Sequence, residues 1–269
     1  MVVFPNAKIN IGLNIIEKRN DGFHNIESCF YPVGWTDALE ILPADELSFK
    51  SSGIDIPGAP QHNLCLKTYQ LLAADYHLPH VDIHLLKTVP IGAGLGGGSA
   101  DAAFTIKALN DLFSLGISLE KQLAYARRLG SDCAFFLVNE PAYCFSKGDH
   151  FEPITLNLTG KWITLINPGL HISTADAYAG IVPQKPEKDL RELLKQPLHS
   201  WKDAVKNDFE DSLFSKYQVL SEIKNSLYTQ GAVYASMTGS GSTVYGIFEK
   251  EINLAPMYAQ YLTWQGYLV

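Results

Sequence analysis

Between Pro90 and Phe104 the chain reads PIGAGLGGGSADAAF, and Gly92, Gly94, Gly96, Gly97 and Gly98 place five glycines in seven residues. No other stretch restricts the fold so strongly. Glycine enters the φ > 0 region without a steric penalty and leaves no Cβ to hold a ligand off the backbone. From Ala100 to Phe113 apolar residues recur at Ala102, Ala103, Ile106, Leu109, Leu112 and Phe113, the spacing of a helix with one buried face. A glycine loop running into a helix N-terminus presents unpaired N–H groups and about half a positive charge. Phosphate suits such an end.

Three phosphate loops compete for this pattern. GxxxxGK[ST] fits Gly92 and Gly97 but requires Lys where Gly98 stands, so it fails. GxGxxG matches at Gly92, Gly94 and Gly97, yet that fingerprint follows a buried strand in a βαβ unit. Here VDIHLLKTVP alternates Val81, Ile83 and Leu85 with Asp82 and His84 and then reaches Pro90. Alternation predicts a half-solvated strand of an antiparallel or mixed sheet. A nucleoside triphosphate loop without its own lysine remains.

A phosphate ligand raises the question of nucleic acid. The formal net charge of -7 argues against such a surface and leaves room for a local basic pocket. With 269 residues, 46% hydrophobic and 18% charged, the chain is of globular composition and long enough for one large domain or two ordinary ones. MVVFPNAKIN lacks a signal peptide's basic start and long apolar core, and no apolar run reaches the roughly eighteen residues of a spanning helix. A cytoplasmic protein is expected. Cys29, Cys65, Cys133 and Cys144 show no CxxC spacing and read as reduced, mostly buried thiols. His80 and His84 share a strand face with Asp82, a solvated face rather than a metal site, and no metal ligand is assigned.

Strict alternation over Lys8 to Ile16 predicts a strand with Ile9, Ile11, Leu13 and Ile15 buried. Lys8 and Asn10 then project from one side, either as two solvated polar residues or as part of a site. Asn20-Asp21-Gly22 predicts a turn, with a strand over Phe23 to Tyr31. Short strands are expected over 38–42 and 47–50, and a helix over 64–76 with Leu64, Thr68, Leu71 and Leu72 inward. Ser118 reads as the N-cap of a helix that turns Leu119, Leu123, Ala126 and Leu129 inward and stops at Gly130. Asp132 follows, between two buried segments, either as a cap for the next turn or as a functional carboxylate.

In the second half, 162–167 reads as a strand, and Pro168-Gly169 marks a possible domain junction. Domains over 1–155 and 156–269 are expected. Ser173-Thr174-Ala175-Asp176 resembles a capping box with a shorter acid, opening a helix that carries Tyr178. Helices over 189–195, 208–214 and 220–229 precede strands over 232–236 and 243–248. The link Thr238-Gly239-Ser240-Gly241-Ser242 is either a plain hairpin loop or a second ligand loop.

Three segments in order, PNAKINIGLNI, GLGGGSADAA and SMTGSGSTVYGIF, resemble the motifs of the GHMP kinases, the superfamily of galactokinase, homoserine kinase and mevalonate kinase. The likeness spans nearly the whole chain. AKINIGLNI and DGFH are most similar to the branch acting on a cytidine diphosphate-linked methylerythritol. The resemblance implies an α+β fold of two lobes with the active site in the cleft between them. It implies transfer of the ATP γ-phosphoryl group to a 2-hydroxyl, a step of non-mevalonate isoprenoid synthesis. Pro90-Ile91-Gly92-Ala93-Gly94-Leu95-Gly96-Gly97-Gly98-Ser99-Ala100 would then hold ATP, with Mg²⁺ carried by the nucleotide.

Lys8 and Asp132 match the family's catalytic pair. Asp132 would orient the substrate hydroxyl, while Lys8 would hold Asp132 and stabilise transferring charge. An ammonium nearby weakens a carboxylate as a base, so positioning should outweigh proton abstraction. Phe23 and Tyr178 match two rings flanking cytosine, His24 its edge reader, and Thr174 and Asn10 residues along the substrate. Two positions depart from the usual pattern: Phe23, where relatives often carry Tyr, and Ala100, where a second Ser is common. A mevalonate- or homoserine-type kinase and a catalytically silent nucleotide-binding relative are the alternatives.

Overall fold

The computed structural model describes residues 1–268 of the chain. Its elements begin with strands β1 (Val2–Val3), β2 (Asn6–Lys18), β3 (His24–Thr36), β4 (Ala38–Pro43) and β5 (Ser48–Gly53). Helix α1 (Leu64–Tyr76), strand β6 (Val81–Lys87) and helices α2 (Gly97–Leu112), α3 (Leu119–Leu129) and α4 (Cys133–Val138) come next. Then follow β7 (Ala142–Phe145), β8 (His150–Pro153), β9 (Trp162–Asn167), α5 (Thr174–Ala179), α6 (Leu190–Leu194) and α7 (Trp201–Ala204). The chain closes with α8 (Phe209–Lys216), α9 (Gln218–Thr229), β10 (Tyr234–Met237), β11 (Val244–Phe248) and β12 (Leu262–Tyr267). These elements pack as two compact units, each drawn from several chain segments. One comprises Met1–Ala7, Trp35–Ile91 and Gly96–Glu140; the other comprises Lys8–Gly34, Gly92–Leu95 and the chain from Pro141 onward.

The first unit is a four-stranded sheet, β1-β4-β6-β5, with helices α1 to α4. Strand β6 pairs antiparallel with β4 and parallel with β5, so the sheet is mixed, one of the two forms its alternation allows. Val81, Ile83 and Leu85 are buried while Leu86 is exposed on the opposite face. Lys87 continues the buried parity and is itself buried. Helix α2 begins at Gly97, three residues before the apolar periodicity starts, because Gly96 takes a left-handed φ of 71° and serves as N-cap. Ser118 caps α3 as expected, accepting from the Lys121 N–H. Two inward stripes shift, however. Leu119 is 51% exposed, while Ala126 is buried as expected and Tyr125, outside the expected stripe, is buried beside it. On α1 the buried residues are Cys65, Leu66, Thr68, Tyr69 and Leu72, with Leu64 and Leu71 only half-buried.

The second unit holds the antiparallel sheet β10-β11-β9-β12 and the sheet β2-β3-β7-β8. Helices α8 and α9 contribute Phe209, Leu213, Leu220, Ile223 and Leu227 to a core shared with Leu13, Ile15, Ile166, Met237 and Val244. Strand β9 forms over the expected 162–167 and sits inside its sheet, between β11 and β12. The 24–36 strand runs five residues beyond the expected end. Helices and sheets thus sit in separate runs along the chain, the expected α+β class. All four cysteines are buried and none is in a disulfide. Burial pushes the Cys65 thiol up to about 12 and Cys133 up to about 11, so both behave as small hydrophobes. Among the described residues no helix is long and apolar enough to cross a membrane.

Candidate active site

In the second unit, the polar side of β2 is not solvated. Lys8 and Asn10 are each only 3% exposed. A buried ammonium needs oxygen partners, and Lys8 Nζ donates to Asn10 Oδ1 and, at 3.0 Å, to Gly94 O. Its stem leaves Nζ 4.5 Å from the Phe30 ring centroid. Asn10 is fixed in turn: its Nδ2 donates to Ser28 Oγ at 2.8 Å, and Ser28 Oγ donates to Gly12 O at 2.6 Å. The Tyr245 hydroxyl donates to Asn10 O at 2.8 Å. Of the two readings of Lys8 and Asn10, the solvated one is excluded.

The same unit carries loop residues Gly92–Leu95. Lys8 N donates to Leu95 O at 2.9 Å, and Thr243 N donates to Ala93 O at 3.3 Å. Gly94 has φ of 79°, and a Cβ there would lie 2.0 Å from Thr238 O. Gly94 is therefore glycine so that the Thr238–Ser242 link can pack on it. That link is more than a hairpin turn. Gly92, also at positive φ, is exposed, with only the His171 ring within 4 Å of a built Cβ.

In the first unit, α2 starts after Gly96, and its first N–H groups have no carbonyl inside the helix to donate to. The next two glycines differ in purpose. Gly97 is buried, and a Cβ on it would stand 2.8 Å from Lys87 Nζ and 3.1 Å from Val89 Cγ1. Gly98 is exposed, and its nearest neighbour would be Leu64 Cδ1 at 3.8 Å, an ordinary contact. Ala100 is fully buried, so a serine there would carry its hydroxyl into packed interior. Pro90 and Ile91 lead into the loop, with Ile91 exposed.

Asp132 sits at the N-cap position of α4, yet its side chain makes no capping bond. Capping alone does not account for it. Ser131 Oγ lies 3.4 Å from Asp132 Oδ1. A Cβ on Gly130, two residues earlier, would stand 3.3 Å from Cys133 Sγ, a tight contact, and 3.9 Å from Ser99 Oγ, an ordinary one. Asp132 and Ser99 thus belong to one corner of this unit.

A third group lies in the second unit. Ser173 Oγ accepts from Asp176 N at 3.0 Å and donates to Asp176 Oδ2 at 2.8 Å, the expected box with a shorter acid. It launches α5, which puts Thr174 and Tyr178 four residues apart on one face. His24 stacks on Tyr178 with ring centroids 4.5 Å apart and planes 17° from parallel. Tyr178 also meets Phe209 edge-on at 4.9 Å. Burial, with Lys18 nearby, holds His24 below the usual imidazole pKa, so its ring is neutral at pH 7. Phe23 is 58% exposed, under the Lys147 ammonium at 5.4 Å.

The sequence marks Thr238 only as part of a loop and passes over a second group altogether. Thr238 joins the Lys8–Asn10 network through its hydroxyl. In the first unit, Lys87 Nζ donates to Asp37 Oδ2 and, at 2.9 Å, to Asp101 Oδ2, all three side chains being buried. The inward parity of Lys87 on β6 and of Asp101 beside Ala102 and Thr105 was the available signal.

Known proteins resemble this chain along its length. The family described as GHMP kinases N terminal domain matches residues 63–140, and GHMP kinases C terminal matches 187–261. A 4-diphosphocytidyl-2-C-methyl-D-erythritol kinase of Cytophaga hutchinsonii is 56% identical over 249 residues, 92% of each chain. One of Bacteroides thetaiotaomicron is 51% identical over 255 residues, 93% of each. A crystal structure of 4-(cytidine 5'-diphospho)-2C-methyl-D-erythritol kinase superposes with a TM-score of 0.85 at 28% identity, covering 99% of this chain and 98% of that one. With its motifs in family order and relatives this alike over almost their full length, the chain belongs to the GHMP kinases, small-molecule phosphotransferases, in their 4-diphosphocytidyl-2-C-methyl-D-erythritol kinase branch.

Proposed function

We propose that the protein transfers the γ-phosphoryl group of ATP to the 2-hydroxyl of 4-diphosphocytidyl-2-C-methyl-D-erythritol, a step in non-mevalonate isoprenoid precursor synthesis. The carrying observation is the near full-length identity to relatives bearing that substrate in their names. Phosphoryl transfer asks a protein for positioning and charge stabilisation rather than covalent chemistry. The unpaired N–H groups opening α2 suit the phosphates, and the exposed, unobstructed Gly92 and Gly98 suit close approach. Mg²⁺ fits as the ion arriving on the nucleotide, since it keeps water and phosphate ligands readily. Among the described residues no three His, Cys, Asp or Glu side chains form a cage for it.

In this reading Asp132 orients the substrate hydroxyl and Lys8 offsets the charge that moves. Phe23 and Tyr178 flank the cytosine, His24 reads its edge, and Asn10 and Thr174 line the rest of the substrate. A coupled assay of ATP consumption with the cytidine-linked substrate, mevalonate and homoserine in parallel tests it. Turnover is expected with the first alone; phosphorylation of either of the others in its place would overturn the assignment.

Two substitutions separate the ligand ends. Gly98→Val adds a side chain where an ordinary contact awaits it, so the helix should fold while phosphate is kept off the N–H groups. Calorimetry should find ATP binding lost in a protein of unchanged circular dichroism. Tyr178→Ala removes a stacking surface worth about 1–3 kcal/mol per base. Cytidine-substrate affinity should fall roughly tenfold or more, with ATP affinity held; a fall in ATP affinity instead would assign the ring to adenine.

A further inference from the structure

Thr238 is completely buried in the second unit, on the link between β10 and β11. Its hydroxyl accepts from Asn10 N at 2.9 Å. It has one proton to give and faces two acceptors, Gly94 O at 3.0 Å and Asn10 Oδ1 at 3.3 Å. Those are the same two oxygens to which Lys8 Nζ donates. One hydroxyl therefore touches both oxygens that hold the ammonium, together with the backbone N–H of the residue bearing one of them.

The post is itself rigid. Thr238 N donates to Thr243 O at 2.9 Å, and Gly241 N donates to Thr238 O at 3.0 Å, closing the loop on itself. Asn207 Nδ2 donates to Met237 O at 2.8 Å and to Gly239 O at 2.9 Å, gripping the carbonyls on either side of Thr238. The absent Cβ of Gly94 lets the Thr238 backbone come close enough for the hydroxyl to reach. A β-branched side chain on a fixed backbone has little rotamer freedom.

We propose that Thr238 is a positioning residue for phosphoryl transfer, its hydroxyl fixing Asn10 Oδ1 and Gly94 O so that the Lys8 ammonium is held in one place. The proposal rests on the participation of Lys8 in the reaction. An ammonium displaced by about 1 Å stabilises transferring charge less well and can cost on the order of 10²-fold in rate, while ground-state binding depends on it far less.

The test uses the full chain. Thr238→Val keeps the shape and removes the hydroxyl; kcat should fall about ten- to a hundredfold with KM for both substrates changed less than about threefold. Thr238→Ser, which restores a hydroxyl, should recover most of the rate; a loss due only to packing would not follow the hydroxyl. Should the valine variant not fold, Thr238→Ala is read the same way against Thr238→Ser. In a Lys8→Ala background, Thr238→Val should cost little more, because residues acting as one unit are non-additive. Wild-type kcat without the hydroxyl, or an equal loss with and without Lys8, would overturn the positioning role alone. Wild-type kcat in Lys8→Ala itself would overturn the reading on which it rests as well.

Discussion

Replacing Asp132 with alanine is expected to lower kcat by about 10²–10⁴, the range of general-base assistance, equivalent to about 3–5 kcal/mol of barrier. Circular dichroism of the variant separates a loss of rate from a loss of fold. Lys8→Ala should fall in the same range of rate. Its cost to stability is larger, since Asn10 Oδ1 and Gly94 O lose a buried donor. Lys8→Met, which keeps the stem over Phe30, separates the charge from the packing. If Asp132 orients the hydroxyl and Lys8 serves the same transfer, the double variant should be little slower than the slower single one. Pre-steady-state rates with both ligands saturating would read this. Losses that multiply would assign the two residues independent roles. An Asp132→Ala enzyme with near-normal kcat would remove the carboxylate from the chemistry.

Local rules carried far because the local and tertiary signals agree over most of this chain. The alternation of 81–87 foretold a strand with one buried face in an antiparallel or mixed sheet, and the caps at Ser118 and Ser173 lie where their side-chain chemistry puts them. Strand β12 escaped notice because Gly266 breaks the apolar alternation begun by Leu262 and Trp264. That glycine is needed for Trp264, whose ring would stand 2.5 Å from a Cβ there. Leu119 misled because periodicity assigns a stripe without saying how far along the helix a neighbour extends. The glycine cluster held two purposes under one pattern. Gly98 has room for a side chain, whereas Gly94 and Gly97 make room for Thr238 and Lys87, and a one-dimensional reading cannot tell these apart. Likewise the burial of Lys8 and Asn10 comes with their contacts to Gly94 and Thr238, which alternation along one strand does not encode.

The Lys87–Asp37–Asp101 group should make stability depend on pH with an unusual sign. Asp37 is fully satisfied: Oδ1 accepts from Thr88 N at 2.6 Å and Val89 N at 2.9 Å, and Oδ2 accepts from Lys87. Asp101 has Lys87 on Oδ2 only, and its buried Oδ1 has no partner. Two carboxylates on one ammonium leave a net buried negative charge. Burial, opposed by Lys87 and reinforced by Asp37, pushes the Asp101 carboxyl up to about 7. Burial works against the Lys87 charge too, but both carboxylates outweigh it and keep it protonated. Cys65 on α1, a further titratable neighbour, stays a thiol, burial pushing its pKa up to about 12. A carboxyl whose folded pKa is raised binds its proton in the native state while the unfolded chain has released it. Stability is therefore highest at acidic pH and falls as pH rises through 7. At roughly 1.4 kcal/mol per pH unit, the fall between pH 5 and 8 is about 3 kcal/mol from this group. Asp101→Asn keeps the shape, leaves one carboxylate for one ammonium and removes the titration. Urea unfolding at pH 5 and pH 8 and constant ionic strength should give wild type a loss of a few kcal/mol beyond that of the variant, which should be the more stable protein at pH 8. Equal losses in the two proteins would mean that Asp101 is ionised throughout. The Lys87 ammonium would then be neutralising both carboxylates despite the orphaned oxygen, and the raised pKa would be wrong.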